Sequence, residues 1–171
     1  MSRNRSIGFT IALILIFVAS SALLALSASA GEAVSLVSPA NYKDGVKVSD
    51  AVKAECELPI KVPLYIMEAV ADETSLKLVE GDPGKKGRVL RVMIEDVLVS
   101  GFGGPKALTI SGELRENGKV IGTIQARRTT MGGPFGAFQG VCAMLRRCSK
   151  TLGKDLAEWL EAPAMDVVKT N

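Results

Sequence analysis

The residues KALTISGELRENGKVIGTIQAR, at positions 106–127, decide the fold. Apolar and polar side chains alternate on both sides of a central Asn117-Gly118 pair, which is the strongest short signal for a β-hairpin. Leu108, Ile110 and Leu114 share one face of the first strand, while the opposite face is polar. The hairpin therefore predicts a sheet with one buried face and one solvent-exposed face.

Segments on either side of this hairpin extend the sheet and cover it. Residues 75–80 and 88–100 flank a glycine-rich turn and predict another hairpin, and residues 46–48 are predicted to add a short strand. Apolar stripes at helical spacing predict a first helix over 60–72 and a closing helix over 137–161. We expect an α+β domain: an antiparallel sheet of about four to five strands with two helices packed on one face.

The first thirty residues have the three-part layout of a secretory signal peptide. Arg3 and Arg5 precede an apolar stretch over 7–26, and the small residues Ala28-Ser29-Ala30 follow it. We predict cleavage after Ala30 and a periplasmic or secreted mature protein. The alternative is an uncleaved inner-membrane anchor, because the uncharged run is also long enough to span a bilayer.

The predicted organisation is a signal peptide at 1–30, a flexible N-terminal arm at 31–45, a single α+β domain at 46–163 and a C-terminal tail at 164–171. The whole chain has 21 basic and 18 acidic residues, and the signal peptide takes two of the basic ones, Arg3 and Arg5. The mature protein is therefore nearly neutral, which gives no electrostatic basis for binding nucleic acid.

Three cysteines in an exported chain predict one disulfide and one spare thiol. Cys142 and Cys148 are separated by about 9 Å along the predicted closing helix, whereas a disulfide needs Cα atoms within about 7 Å. Cys56 is therefore one partner. We predict the pair Cys56–Cys142, because Cys148 lies on the apolar stripe; pairing of Cys56 with Cys148 is the alternative.

Three stretches carry a resemblance to a known family: VLRVMIEDV at 89–97, ALTISGELRENGKVIG at 107–122 and LGKDLAEWL at 152–160. Over about residues 76–161 the chain resembles small exported domains of unknown function allied to the amino-terminal domain of TolB and to CsgG-type envelope proteins. The resemblance implies an envelope location and an accessory or assembly role, and supplies no catalytic residues. The chain lacks the lipobox cysteine that many of these proteins carry, because its first cysteine is Cys56.

The chain contains no histidine. This excludes Ser-His and Cys-His nucleophile systems, the usual zinc sites and His-ligated haem. Glu95 and Asp96 are adjacent on a predicted strand, so their side chains should point to opposite faces and not form an acid/base pair. We therefore predict no enzymatic activity, no cofactor and no metal site.

Two glycine-rich loops form the candidate binding end. Residues 101–105 and 131–136 both contain Gly-Gly-Pro, and an antiparallel meander places them at the same end of the sheet. The candidate binding residues there are Phe102, Arg127, Arg128, Phe135 and Phe138. The alternative is that these loops are wide turns whose phenylalanines close the core.

The basic run Arg146, Arg147 and Lys150 is predicted to be the solvated face of the closing helix. The alternative is a positive patch, formed together with Arg127 and Arg128, for phospholipid headgroups at a membrane surface or for an acidic partner. Together these features predict an exported, non-enzymatic accessory protein that binds another envelope component, a protein. A lipid or cell-wall ligand-binding protein is the alternative function.

Overall fold

The computed structural model describes residues 33–84, 86–101, 103–131 and 140–171 of the chain. The predicted signal peptide and its cleavage site lie outside these ranges. In chain order the elements are β1 (Ala33–Leu36), β2 (Asn41–Tyr42), α1 (Asp50–Cys56), α2 (Leu58–Glu73), β3 (Lys77–Glu80), β4 (Arg88–Val99), β5 (Lys106–Glu116), β6 (Lys119–Thr130), α3 (Val141–Glu161) and β7 (Val167–Lys169).

The strands form one mixed sheet with the order β3-β1-β4-β5-β6-β7, and β2 also pairs with β4. Strands β4, β5 and β6 are antiparallel neighbours, whereas β1, β2 and β7 join the sheet in parallel. The predicted α+β class is confirmed. The described residues nevertheless hold seven strands and three helices, more than the four to five strands and two helices expected.

The hairpin of β5 and β6 forms as predicted. Glu116 pairs with Lys119 across the turn, and Asn117 and Gly118 have φ angles of 50° and 84°. Positive φ at both central residues is the geometry of the tight hairpin turn whose twist matches that of the flanking strands. Leu108, Ile110 and Leu114 are fully buried on the helix side of the sheet.

The second predicted hairpin, over residues 75–100, is wrong. Strand β1 lies between β3 and β4 and pairs in parallel with both of them. Val34 and Leu36 of β1 are fully buried, so this central position is stabilised by burial of apolar side chains. A four-residue strand shows only two buried positions, which is too few for a two-residue period to be recognised in the sequence.

Both predicted flexible ends contribute strands, so the structure differs from the predicted arm at 31–45 and tail at 164–171. Beyond β1 and β2, the amide of Val37 donates to Leu90 O at 3.0 Å and that of Lys43 to Ile94 O at 2.9 Å, which keeps the N-terminal segment along β4. At the other end, the Asn171 side chain bonds the backbone of Thr129 in both directions, at 2.9 and 3.2 Å. The sequence did not predict these pairings, because both segments contain many polar residues. Hydrogen bonds between backbones form without apolar side chains, so they need not leave a pattern in the sequence.

Residues 46–48 form no strand, and the helix α1 follows them. The Ser49 hydroxyl accepts a bond from the Val52 amide at 3.4 Å and caps this helix. Glu57 then adopts a left-handed conformation, with φ of 45°, and separates α1 from α2. The first predicted helix, at 60–72, corresponds to α2.

Helices α2 and α3 pack against each other and cover one face of the sheet. The two helices approach each other closely at Gly153, where an added Cβ would lie 2.5 Å from the Ala69 Cβ. Trp159 of α3 lies over the two sheet glycines Gly112 and Gly122, and its Nε1–H donates to Ala164 O at 3.1 Å. Within the described residues no helix combines the length and apolarity needed to cross a membrane.

The predicted disulfide between Cys56 and Cys142 is confirmed, with the Cα atoms 5.0 Å apart. It links the end of α1 to the beginning of α3. Cys148 is the free cysteine, and it is buried on the apolar stripe as predicted. Burial raises the pKa of the Cys148 thiol, which makes it a poor nucleophile.

Candidate functional site

The sheet face opposite the helices, here called the open face, carries a shallow groove of about 560 Å³. One rim is the segment Val37–Asn41 beside β4, and the other is β7 with the preceding residue Asp166. Two large hydrophobic side chains are exposed along the groove: Met93, with 41% of its surface accessible, and Val168, with 66%. The groove thus combines exposed apolar side chains with a polar floor.

Glu95 is the most enclosed charged group of the floor, with only 12% of its side chain exposed. Its two oxygens accept bonds from Lys43 Nζ at 2.5 Å and from Ser111 Oγ at 2.7 Å. Burial by itself raises the pKa of Glu95, but these two hydrogen bonds and the Lys43 charge outweigh it and leave that pKa below its ordinary value. Glu95 is therefore a fixed anion within the groove.

Asp96 also lies on the open face, which corrects the prediction that it and Glu95 point to opposite faces. A β-bulge between Ile94 and Asp96 shifts the register, and both carboxylates line one depression beside Arg127. A bulge breaks the two-residue alternation on which the prediction relied. Asp96 accepts a bond from Arg127 at 3.1 Å, so both carboxylates are held by cations.

The structure separates the two arginines that were grouped in the predicted binding end. Arg127 lies on the open face, bonded to Asp96 and to Thr109 Oγ1 at 3.3 Å. Arg128 points to the helix side, where its Nε and Nη2 donate to both oxygens of Asp155 at 2.7 and 2.5 Å. This nearly buried pair connects β6 to α3. The two arginines cannot form one patch, because neighbours on a strand point to opposite faces.

Lys106 pairs with Thr130, so the described residues beside them, 103–105 and 131, lie at the same end of the sheet, whereas residues 132–136 lie outside the described residues. Phe102, Phe135 and Phe138 lie outside the described residues. Sequence reasoning missed Lys106, whose Nζ donates to the carbonyl oxygens of Ser100, Gly101 and Gly104 at 2.7, 3.1 and 2.8 Å. The position of this lysine, directly after a Gly-Gly-Pro turn, was the sequence feature that could have indicated its role.

The basic run of α3 is solvent-exposed, as predicted. Arg146, Arg147 and Lys150 are exposed, and Lys150 pairs with Glu68 of α2 at 2.8 Å. Exposed pairs of this kind contribute little to stability. A positive patch for phospholipid headgroups or an acidic partner stays the alternative hypothesis for this run.

A second cavity, of about 640 Å³, opens where the turns at 81–87 and 117–118 meet. The amide of Gly87 donates to Asn117 Oδ1 at 3.1 Å, and the amide of Asn117 donates to Gly87 O at 2.9 Å. Arg91 and Arg115 line this cavity together with Gly84, Asn117 and Gly118. Sequence reasoning treated both turns only as fold signals.

Among the described residues no cluster of three or more potential metal ligands occurs. The lowered pKa of Glu95 is the opposite of what a general acid requires near neutral pH. The groove has the features of a binding surface: shallow relief, exposed apolar side chains and charged groups already held in place.

Neither a protein-family model nor a curated protein sequence matches this chain. Its fold is similar to that of solved structures at low sequence identity. A Xanthomonas campestris protein of the DUF330 family has 9% identity and a TM-score of 0.52, covering 76% of this chain and 84% of its own. A hypothetical protein of Chlamydia trachomatis has 8% identity and a TM-score of 0.53, covering 76% and 98%.

The PelC dodecamer from Paraburkholderia phytofirmans has 15% identity and a TM-score of 0.47, covering 74% of this chain and 88% of its own. The likenesses with TM-scores above 0.5 show that the chain shares its fold with the DUF330 protein and the Chlamydia trachomatis protein. At these identities the likeness shows the fold alone. The resemblance to TolB and CsgG-type proteins is not confirmed by these likenesses.

Proposed function

We propose that this chain is an exported, non-enzymatic accessory protein of the cell envelope that binds a protein partner on its open face. The observation that carries the proposal is the groove of about 560 Å³ between the Val37–Asn41 rim and β7. One face of the sheet is covered by α2 and α3, and the described residues leave the other face uncovered.

The composition of the groove favours a protein over an acyl chain. Exposed Met93 and Val168 offer apolar anchors, while Arg91, Glu95 and Gln125 offer polar contacts on the same surface. Protein interfaces combine an apolar centre with a polar rim, whereas lipid tails need an enclosed apolar cavity. The fixed charge of Glu95 on the groove floor opposes the burial of a hydrocarbon chain.

Export is supported by the signal-like segment at 1–30 and by the Cys56–Cys142 disulfide. Disulfides persist in oxidising compartments such as the periplasm and are rare in the cytosol. The export proposal therefore rests on two separate features of the chain.

Photo-crosslinking in the native cells tests the binding surface. A photoreactive amino acid would replace Met93 or Gln125 on the open face, and Arg146 on α3 would carry the matched control. We expect a discrete protein adduct from both open-face positions and none from the control. Adducts that are equal at all three positions, or absent from positions 93 and 125, would contradict the proposal.

Fractionation and intact-mass measurement test export separately. We expect the chain in the osmotic-shock fraction, beginning at Gly31, with a single thiol alkylated after denaturation without reductant. A full-length chain in the cytosol with three reactive thiols would refute export.

A further inference from the structure

We propose that the cavity between the turns at 81–87 and 117–118, here called the turn site, binds a phosphate group through Arg91 and Arg115. The turn site adjoins the groove and shares Arg91 with it. Phosphate binding is nevertheless measured without a protein partner, so either proposal can fail while the other holds.

The register of the sheet brings the two arginines together on the open face. Arg91 pairs with Glu113, and Val89 pairs with Arg115, so Arg91 and Arg115 are diagonal neighbours on adjacent strands. Diagonal positions in antiparallel strands lie about 7–8 Å apart, within reach of long side chains. Both arginines line the same cavity of about 640 Å³, so their guanidinium groups can contact one ligand.

Each arginine is held in place while keeping unused donors. Arg91 Nη2 donates to Asp82 at 2.7 Å, and Arg115 donates from Nε to Glu113 at 2.6 Å and from Nη1 to Gly118 O at 3.4 Å. A guanidinium has five N–H donors, so these bonds leave several donors on each for a ligand. Side chains that are already positioned lose less conformational entropy when a ligand binds.

The net charge of the turn site exceeds that of the mature chain. The described residues of 81–91 and 113–119 include five basic side chains against three acidic ones, although the chain from Gly31 onward has 19 basic and 18 acidic residues. These basic residues are Lys86, Arg88, Arg91, Arg115 and Lys119. The local positive charge therefore favours an anion at this end of the sheet.

Phosphate is the anion that this arrangement fits. The planar fork of arginine matches phosphate oxygens with two parallel hydrogen bonds, and two such forks suit a group carrying up to two negative charges. Gly84 and Gly118 border the cavity and have no side chains to keep a ligand from the backbone. The phosphate could belong to a soluble phosphate ester or to a phospholipid headgroup.

Binding is measured with the mature protein and two probes at low ionic strength. Pyrophosphate, followed by calorimetry, represents a soluble ligand, and phosphatidylglycerol–phosphatidylcholine vesicles, followed by flotation, represent a headgroup. The variant R91Q/R115Q is compared with R146Q/R147Q, which removes the same charge from the exposed face of α3. Because the ion pairs of Arg91 and Arg115 are half exposed, both variants should fold, and thermal unfolding checks this.

We expect R91Q/R115Q to bind at least about tenfold more weakly, as the loss of charge-assisted hydrogen bonds implies, and R146Q/R147Q to bind like the wild type. Binding of pyrophosphate alone would assign a soluble ligand, and binding of vesicles a headgroup. The variant R91K/R115K keeps the charge without the fork and should also bind weakly. Binding to neither probe, equal loss in both Gln variants, or wild-type binding by R91K/R115K would overturn the proposal.

Discussion

Lys106 is a charged residue with a structural role. Only 4% of its surface is accessible, and its ammonium group satisfies three carbonyl oxygens of the β4–β5 loop. These three hydrogen bonds are partly buried, and a buried carbonyl group without a donor is costly. Lys106 therefore holds the Gly-Gly-Pro loop in its observed shape.

We expect Lys106→Met to lower the free energy of unfolding by about 2 kcal/mol, because the three carbonyl groups lose their shared donor. Chemical denaturation of the purified mature protein measures this difference. Lys119→Met, at an exposed position in the Asn-Gly hairpin, is the control and should change stability by less than about 0.5 kcal/mol. Equal effects of the two substitutions would show that the three bonds do not stabilise the loop.

Glu95 illustrates how a neighbour changes the chemistry of a residue. Its folded-state pKa lies below the ordinary value of 4.5, because hydrogen bonds from Lys43 and Ser111 outweigh the effect of burial. Because this pKa is lowered on folding, the ionised carboxylate stabilises the folded state at pH values above the ordinary pKa. This stabilisation is lost as the pH falls through the folded-state pKa.

We expect Glu95→Gln to destabilise the protein near pH 7, and the difference from wild type to shrink as the pH falls below 4.5. Urea unfolding of both proteins between pH 7 and pH 3 measures this difference in the free energy of unfolding. Lys43→Met removes the charged partner and should eliminate most of the same pH-dependent difference. A stability difference that is constant over the whole range would contradict this account.

At the scale of elements, the contact between α2 and α3 depends on one small residue. An added Cβ at Gly153 would lie 2.5 Å from Ala69 Cβ and 3.1 Å from Tyr65 O. These distances are too short for normal packing, and the backbone oxygen cannot move as a flexible side chain can. The two helices would have to separate.

We expect Gly153→Ala to lower the free energy of unfolding by about 1–3 kcal/mol through overpacking. Helix propensity alone would predict the opposite result, because it favours alanine over glycine by about 1 kcal/mol. Thr151→Ala, two residues away at an exposed position of α3, is the control and should be neutral or slightly stabilising. A Gly153→Ala variant more stable than wild type would show that the helices can adjust.

At the scale of the whole molecule, the Cys56–Cys142 disulfide joins segments that are 86 residues apart. It links the N-terminal α1 to the closing helix α3, and the sheet strands β3 to β6 lie between them in the chain. In the chain-entropy model, closing a loop of this length stabilises the folded state mainly by restricting the unfolded chain.

We expect Cys56→Ser/Cys142→Ser to lower the free energy of unfolding by about 4 kcal/mol. Denaturation with and without reductant measures this, since reduction should affect the wild type and leave the double variant unchanged. Cys148→Ala keeps the disulfide and is the control, which should remain sensitive to reductant. Wild-type stability in the double variant would mean that the disulfide has no stabilising role.

The sequence by itself determined the features that depend on local patterns. Asn117-Gly118 specified the β5–β6 hairpin through its positive φ angles, and the three- and four-residue spacing of apolar side chains predicted α2 and α3. Helix geometry and the apolar stripe also predicted the Cys56–Cys142 pair. Each of these inferences uses residue spacing within one short stretch of the chain.

The tertiary structure alone decided the features that join distant segments. The insertion of β1 between β3 and β4 and the parallel addition of β7 depend on pairing between segments that are far apart in the chain, which local residue spacing does not predict. The bulge beside Glu95 reversed the predicted facing of Asp96, because a one-residue register shift exchanges the faces of a strand. The groove and the turn site could not be predicted either. Each is formed by several strands, and the order of strands in the sheet is decided only by the packing of the whole core.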